Sequence, residues 1–341
     1  MTQLFRILSL DGGGIRGIIP GQVLAYLETL LQEYTGNSEA RVADFFDLIA
    51  GTSTGGILTC LYLCPAEINS AGLIRPRFSA QDVVNFYIQD GPQIFKKTFL
   101  QNLFSGFGLL SQKYSDKNLL KYLDQRFGDH KLSELLKPCL ITAYNIEDRT
   151  AYFFTQHNAA KNVAYDYLVK DVARATSAAP TYFRPAKISS LANKEIALID
   201  GGMIANNPSL CALAEAKQKL KISFKDLLIL SLGTGDDQKP ISYQKSKDWG
   251  DLNWAVPIID ILMSGNNETV DYQLKTIFLS LQKEMQYLRI NPKLPESMSV
   301  MDNGEAENIK NLADFGSQIA EQFHPQLEKM AHWLIEKNIG I

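Results

Sequence analysis

"LIAGTSTGGIL", residues 48–58, is an apolar run that breaks into small residues around one serine and then turns apolar again. Within it Gly51-Thr52-Ser53-Thr54-Gly55 satisfies G-x-S-x-G, with a β-like run before it and a helix-compatible run after it. A loop that only had to reverse the chain would need one glycine at most. Crowding Gly51, Gly55 and Gly56 about Ser53 describes instead a sharp strand-to-helix turn whose backbone leaves no room for larger side chains. Such a turn projects the hydroxyl to where a substrate reaches it, and the amides opening the following helix favour negative charge beside it. Taken alone, the pentapeptide also fits a plain glycine-rich βα turn.

A serine nucleophile needs amide donors for the developing oxyanion and a base for its proton. "SLDGGGIRG", residues 9–17, places Gly12, Gly13 and Gly14 between a first strand and a helix, where glycines can expose several N–H groups in one direction. Arg16 reads either as fixed positive charge for this loop or as a solvated arginine. The same stretch matches G-x-G-x-x-G through Gly12, Gly14 and Gly17, the dinucleotide-binding fingerprint. That fold requires an acidic residue closing the second strand. Here the second strand runs into Gly51 and the serine turn, which argues against it.

For the base, the ordinary chain order is serine, acid, histidine. His130 and His157 precede the plausible acid, and His324 and His332 lie in a terminal helical segment, so each reads as packed or solvent-facing. A Ser-x-x-Lys arrangement fails because Gly56 stands where lysine would be. What remains is "IALIDGGMIANNPS", residues 196–209, where an apolar strand ends at Asp200 and turns through Gly201 and Gly202. Asp200 is therefore either the partner of Ser53 in a two-residue unit or a turn-capping carboxylate.

The whole chain sets bounds on these readings. Its 341 residues are 45% hydrophobic, enough for a large core. Lys and Arg total 34 against 37 Asp and Glu, a net charge of −3 that exerts no global pull on nucleic acid or anionic membrane. Cys60, Cys64, Cys139 and Cys211 form neither a disulfide framework nor a metal-ligand spacing, which suits a reducing compartment. MTQLFRILSL reads as a first strand and not as a signal peptide, and no stretch is apolar for the ~18 residues that a membrane span requires. A cytoplasmic protein without metal or cofactor is expected, with any lipid contact local.

Short Ile, Leu, Val and Phe runs alternate with segments of helical period, the pattern of a mostly parallel sheet covered by helices. Strands are expected at about 4–10, 45–50, 138–144, 151–155, 195–199 and 227–232. Helices are expected at about 20–34, 54–63, 80–89, 116–126, 166–176, 208–219, 255–285 with breaks, and 305–337. Residues 91–113 fit neither pattern and read as a long loop, either over a site or on the surface. "DLNWAVPIIDILMSG", residues 251–265, reads as a core helix or a lipid-facing one. Without repeat or linker, a single domain over 1–341 is expected, with core motifs at about 5–213 and a helical part at about 250–341 packed on it.

With Asp11-Gly12-Gly13-Gly14-Ile15-Arg16-Gly17, the serine turn and Asp200-Gly201-Gly202 in that order, the chain resembles the patatin-like phospholipases, the plant patatins in particular. "GPQIF" (91–95), "ATSAAPTYF" (175–183), "LLILSLGTG" (227–235) and "YLRI" (287–290) extend the resemblance over nearly the whole chain. It implies a lipid acyl hydrolase on a three-layer α/β/α fold, acting on phospholipids or galactolipids through a Ser–Asp dyad without histidine. By motif matching Ser53 is the nucleophile, Asp200 the base, and the loop of Gly12, Gly13, Gly14 and Arg16 the oxyanion hole. Plant patatins commonly carry alanine where Gly202 stands, and the secreted members carry a signal peptide. An acyltransferase, a ligand-activated lipase effector and a storage protein with incidental esterase activity are the alternatives.

Overall fold

The apolar runs of the sequence pair into one eight-stranded sheet among the described residues. The computed structural model describes residues 4–67, 72–95, 113–237, 240–254 and 257–336. The strands are β1 Phe5–Leu10, β2 Leu48–Thr52, β3 Cys139–Asn145, β4 Thr150–Thr155, β5 Ala186–Ser189, β6 Glu195–Asp200, β7 Leu227–Leu232 and β8 Tyr287–Ile290. Their order is β5-β6-β3-β2-β1-β7-β8, with β4 also paired to β3. The stretch β3-β2-β1-β7-β8 is parallel throughout, whereas β4 and β6 both run antiparallel to β3. Central strands β1, β2 and β7 are buried along almost their whole length and mostly apolar, because helices cover both of their faces.

The longer helices are α1 Ile18–Thr35, α2 Thr54–Leu63, α3 Ala80–Ile94, α4 Asp116–Phe127, α5 Val169–Thr176, α6 Ser209–Gln218, α7 Pro257–Ser280, α8 Ala306–Gln322 and α9 His324–Ile335. Side chains alternate across the strands, and the two faces accordingly enter different cores. Leu8, Ile49 and Ile141 pack with Leu27 of α1, Leu58 of α2, Val172 of α5 and Ile319 of α8. Ile7, Leu48 and Leu140 face the other way, onto Leu213 of α6 and Leu274 of α7. The result is a three-layer α/β/α arrangement with a mostly parallel sheet.

Several boundaries differ from the sequence reading, each for a local reason. The second strand starts at Leu48, because Val42–Phe45 forms a helical turn in which the Asp44 carboxylate accepts the Arg41 N–H at 2.8 Å. Helix α3 continues to Ile94, so only the part of the expected 91–113 loop before residue 96 and after 112 lies within the described residues. The terminal helix divides at Phe323, where Pro325 fits the first turn of α9 but has no N–H to continue α8. Short strands β5 and β8 carry no pattern long enough to have marked them.

One pairing detail positions everything that follows. β4 occupies one edge of β3 from Leu140 to Asn145, so β2 and β6 share the other edge end to end. The last pair of β2 is Thr52 with Thr142; the last pair of β6 is Asp200 with Ala143, the very next residue. The two strands thus run toward each other and stop with Ser53 and Asp200 facing across the junction.

Candidate active site

Ser53 sits between β2 and α2 with φ 54° and ψ −120°, a conformation that L-residues rarely adopt. Strain of this kind costs about 1–3 kcal/mol and persists only where the surroundings over-determine it. They do so here. The Ser53 N–H donates to Thr176 Oγ1 at 2.9 Å, while Thr52 Oγ1 bonds both Thr142 Oγ1 at 2.7 Å and the Ala205 carbonyl at 2.6 Å. The flanking glycines are steric requirements, as the sequence suggested: a Cβ on Gly55 would lie 2.1 Å from the Leu10 carbonyl oxygen. The tightness of this turn is what aims the serine side chain out of the strand.

That side chain meets Asp200. Ser53 Oγ donates to Asp200 Oδ2 at 2.6 Å, and the Gly202 N–H donates to Oδ1 at 2.7 Å. Ser53 is 8% exposed and Asp200 3%. Burial raises the carboxyl from 3.8 to about 7, against the pull of the two hydrogen bonds that favour its anion. Gly201 follows because a Cβ there would lie 2.0 Å from Thr142 Oγ1. Asp200 ends an antiparallel strand and not one of the parallel set, so it reaches the serine head-on and not from a neighbouring strand's carboxyl end.

The glycine loop leaves β1 directly beside this pair. Gly12 departs from the expected donor role: its N–H is bound to the Asn206 carbonyl at 3.1 Å. Peptide geometry turns the next two amides the other way. The Gly12 carbonyl accepts from Thr234 Oγ1 at 2.8 Å, which points the Gly13 N–H away from that hydroxyl. The Gly13 carbonyl accepts from Arg16 Nε at 3.4 Å and from its backbone N–H at 3.3 Å, which points the Gly14 N–H away from Arg16. Neither amide has an acceptor among the described residues, and both glycines line the cavity that holds Ser53 and Asp200. Gly14 has φ 62°, and a Cβ there would meet the Met301 carbonyl at 2.1 Å.

Arg16 is therefore neither solvated nor a direct charge at the serine. It is 5% exposed and its Nη1 donates to the Ser299 carbonyl at 3.0 Å, so it braces the loop from behind. Asp11 and Arg289, quoted above only within motifs and given no role there, complete the brace. Arg289 of β8 grips Asp11 through both guanidinium nitrogens, with Nη1 to Oδ1 at 2.9 Å, and its Nη1 also bonds Ser231 Oγ at 2.9 Å. Their separation in sequence, 11 against 289, leaves no spacing to read.

The cavity, about 130 Å³, is walled by Ile57, Leu61, Phe86, Leu123, Phe127 and Phe183 among others, a lining suited to a hydrocarbon chain. None of the four histidines lines it: His130 and His157 pair with Glu134 and Glu215, and His324 and His332 pack against Tyr26 and Tyr34. Among the described residues no cluster of His, Cys, Asp and Glu is arranged to hold a metal ion. Helix α7 divides its apolar side chains: Ile259 and Met263 line the cavity, while Ile258, Ile261 and Leu262 are exposed.

A family model described as patatin-like phospholipase matches residues 8–213, which hold Ser53, Asp200 and the glycine loop, whereas Ser231, Thr234, Ile259, Met263, Arg289, Ser299 and Met301 lie beyond it. Patatin-like protein 1 of Arabidopsis thaliana is 38% identical over 93% of this chain and 81% of its own. Patatin-05 of Solanum tuberosum is 33% identical over 94% of this chain and 85% of its own. A protein of the same plant named probable inactive patatin-3-Kuras 1 is 32% identical over 94% and 88%. The solved structure of VipD from Legionella pneumophila superposes with a TM-score of 0.38 at 12% identity, over 94% of this chain and 67% of that one.

Proposed function

Since the chain belongs to the patatin-like phospholipase family, a family of lipid acyl hydrolases, we propose that it cleaves acyl esters through Ser53 as nucleophile and Asp200 as base. The observation that carries the assignment is the 2.6 Å bond from Ser53 Oγ to a carboxyl raised to about 7, inside an apolar cavity. A carboxylate of ordinary pKa, about 3.9, would be a poor acceptor for a serine proton. Asp200, held by desolvation near neutrality, is a far better one.

In this reading Asp200 takes the Ser53 proton as Oγ attacks the ester carbonyl. The Gly13 and Gly14 amides receive the oxyanion, and Asp200 returns the proton to the departing alcohol. Water then adds to the acyl-serine; Asp200 accepts its proton and passes it to Oγ as the fatty acid leaves. The substrates are phospholipids or galactolipids, whose acyl chain enters the apolar cavity. Ile258, Ile261 and Leu262 favour entry from a lipid surface, and four free cysteines favour a reducing compartment such as the cytoplasm. Among the described residues no helix is long and apolar enough to cross a membrane.

Intact-mass measurement after fluorophosphonate treatment, paired with fatty-acid release from phospholipid, tests the assignment. One adduct on the native chain, none on Ser53→Ala, and hydrolysis lost with it are expected. Unchanged hydrolysis by a folded Ser53→Ala variant would remove the serine from the mechanism.

A further inference from the structure

Besides Asp302, which lines the apolar cavity and pairs with Lys113 outside its lining, one ion pair among the described residues has both members on the wall, and the chemistry at Ser53 does not use it. Asp90 of α3 and Arg126 of α4 both line the cavity, joined through Arg126 Nη2 to Asp90 Oδ2 at 2.8 Å. The guanidinium also stacks on Phe86, 3.8 Å from the ring centroid and one helical turn before Asp90. Arg126 is thus clamped from two sides by α3 while it belongs to α4.

Its place along the cavity follows from the helices. Thr54, Ile57 and Leu61 of α2 all line the wall, so the cavity runs along α2 for seven residues beyond the serine turn, roughly 10 Å at a rise of 1.5 Å per residue. Helix α4 lines it over the same length, from Leu119 to Phe127. It begins near the oxyanion-loop end: Tyr114, just before α4, donates to Asp302 Oδ2 at 2.7 Å, beside the Met301 carbonyl that accepts the Ile15 N–H. Arg126, in the last turn of α4, stands at the other end. It keeps 27% of its side-chain exposure and Asp90 13%, so the pair is only partly desolvated.

We propose that the Asp90–Arg126 pair is the stopper at the distal end of the acyl-chain cavity and sets the longest chain the enzyme turns over efficiently. A partly buried pair is a weak source of stability, because desolvation offsets much of its attraction. As a wall it is effective, since a hydrocarbon chain end gains nothing from displacing water around two charges held together. Chains that stop short of Arg126 are bound along the apolar lining. Longer ones have to bend or push the pair apart.

The inference rests on the acyl-hydrolase reading, so the experiment separates the two. Native protein, Arg126→Ala and Asp90→Ala/Arg126→Ala are each titrated with fluorophosphonate, and turnover per labelled site is measured on a series of synthetic esters from butanoyl to oleoyl. The double variant leaves no unpaired charge and guards against a single variant that fails to fold. One methylene in an apolar pocket changes specificity by roughly 10-fold or more, so the ratio of oleoyl to octanoyl turnover should rise by about that factor in both variants. Labelled, folded variants with the native chain-length profile would overturn the stopper. Absence of label on the native chain would instead overturn the serine assignment itself.

Discussion

Asp200 is the residue on which rate and stability pull in opposite directions. With its pKa lifted to about 7, the carboxyl is mostly protonated in acid and can act as the proposed base only as the pH rises through neutrality. Turnover per active site should therefore climb through about pH 7 and level off above it, a profile measured with a soluble ester. Stability runs the other way. Below about pH 4 the carboxyl is protonated folded and unfolded; between about 4 and 7 only the native state keeps its proton, so stability falls; above 7 the loss is complete. The rise from 3.8 to about 7 corresponds to roughly 4 kcal/mol. Asp200→Asn keeps the acceptor for Gly202 N–H, offers an N–H to Ser53 Oγ and carries no charge. It should abolish turnover yet melt higher than the native chain at about pH 8, with the difference closing toward about pH 4. A native chain as stable as the variant at both pH values would show that burial does not perturb this carboxyl. The residue types were legible in the sequence because the turn chemistry is local: glycines that close approach demands leave a recognisable spacing. Gly12's diversion to Asn206 was not, since it depends on a carbonyl 194 residues away.

At the scale of elements, the site is a junction between strands that end against one another, backed by a loop held from three sides. Sequence patterning located β1, β2, β3, β4, β6 and β7 because each is a run of apolar or alternating residues bounded by turn residues. It could not say that β6 runs antiparallel, since direction is decided by which edge of β3 remains open. β5 and β8 have four residues each, too few for a period to register, and β8 carries Arg289. The Asp11–Arg289 pair is 0% and 6% exposed, so removing one partner leaves an uncompensated buried charge, worth about 3–5 kcal/mol. Arg289→Met should lose stability of that order in urea unfolding. It should also slow fluorophosphonate labelling, because the glycine loop loses its fixed anchor. Adding Asp11→Asn to it should recover much of the stability, as both charges are then gone, without recovering the labelling rate. Recovery of both together would assign the pair to stability alone, with no part in holding the oxyanion donors.

On the scale of the molecule, the family match ends at residue 213 but the site does not. β7 lies beyond that point and pairs with β1 along its whole length, from Phe5 with Leu227 to Leu10 with Leu232. β8 follows on the outer side and brings Arg289 to Asp11; Met301 supplies the carbonyl that accepts the Ile15 N–H, and α8 packs against α1. A chain cut after residue 213 would present β1, mostly apolar and buried on both faces in the full sheet, as an open edge, and such edges aggregate. We therefore propose that 1–341 folds as one cooperative domain, in which the residues after 213 are structural partners of the nucleophile. The full chain should unfold in a single transition by calorimetry and by labelling competence alike. The fragment 1–213 should be insoluble or lack a cooperative transition, and should not label at Ser53 even when refolded. The fragment fails for want of a neighbour to β1, so supplying residues 214–341 as a separate chain during refolding should restore soluble, labelled complex. A fragment 1–213 that is soluble, melts cooperatively and labels unaided would show that the catalytic unit ends where the family match does.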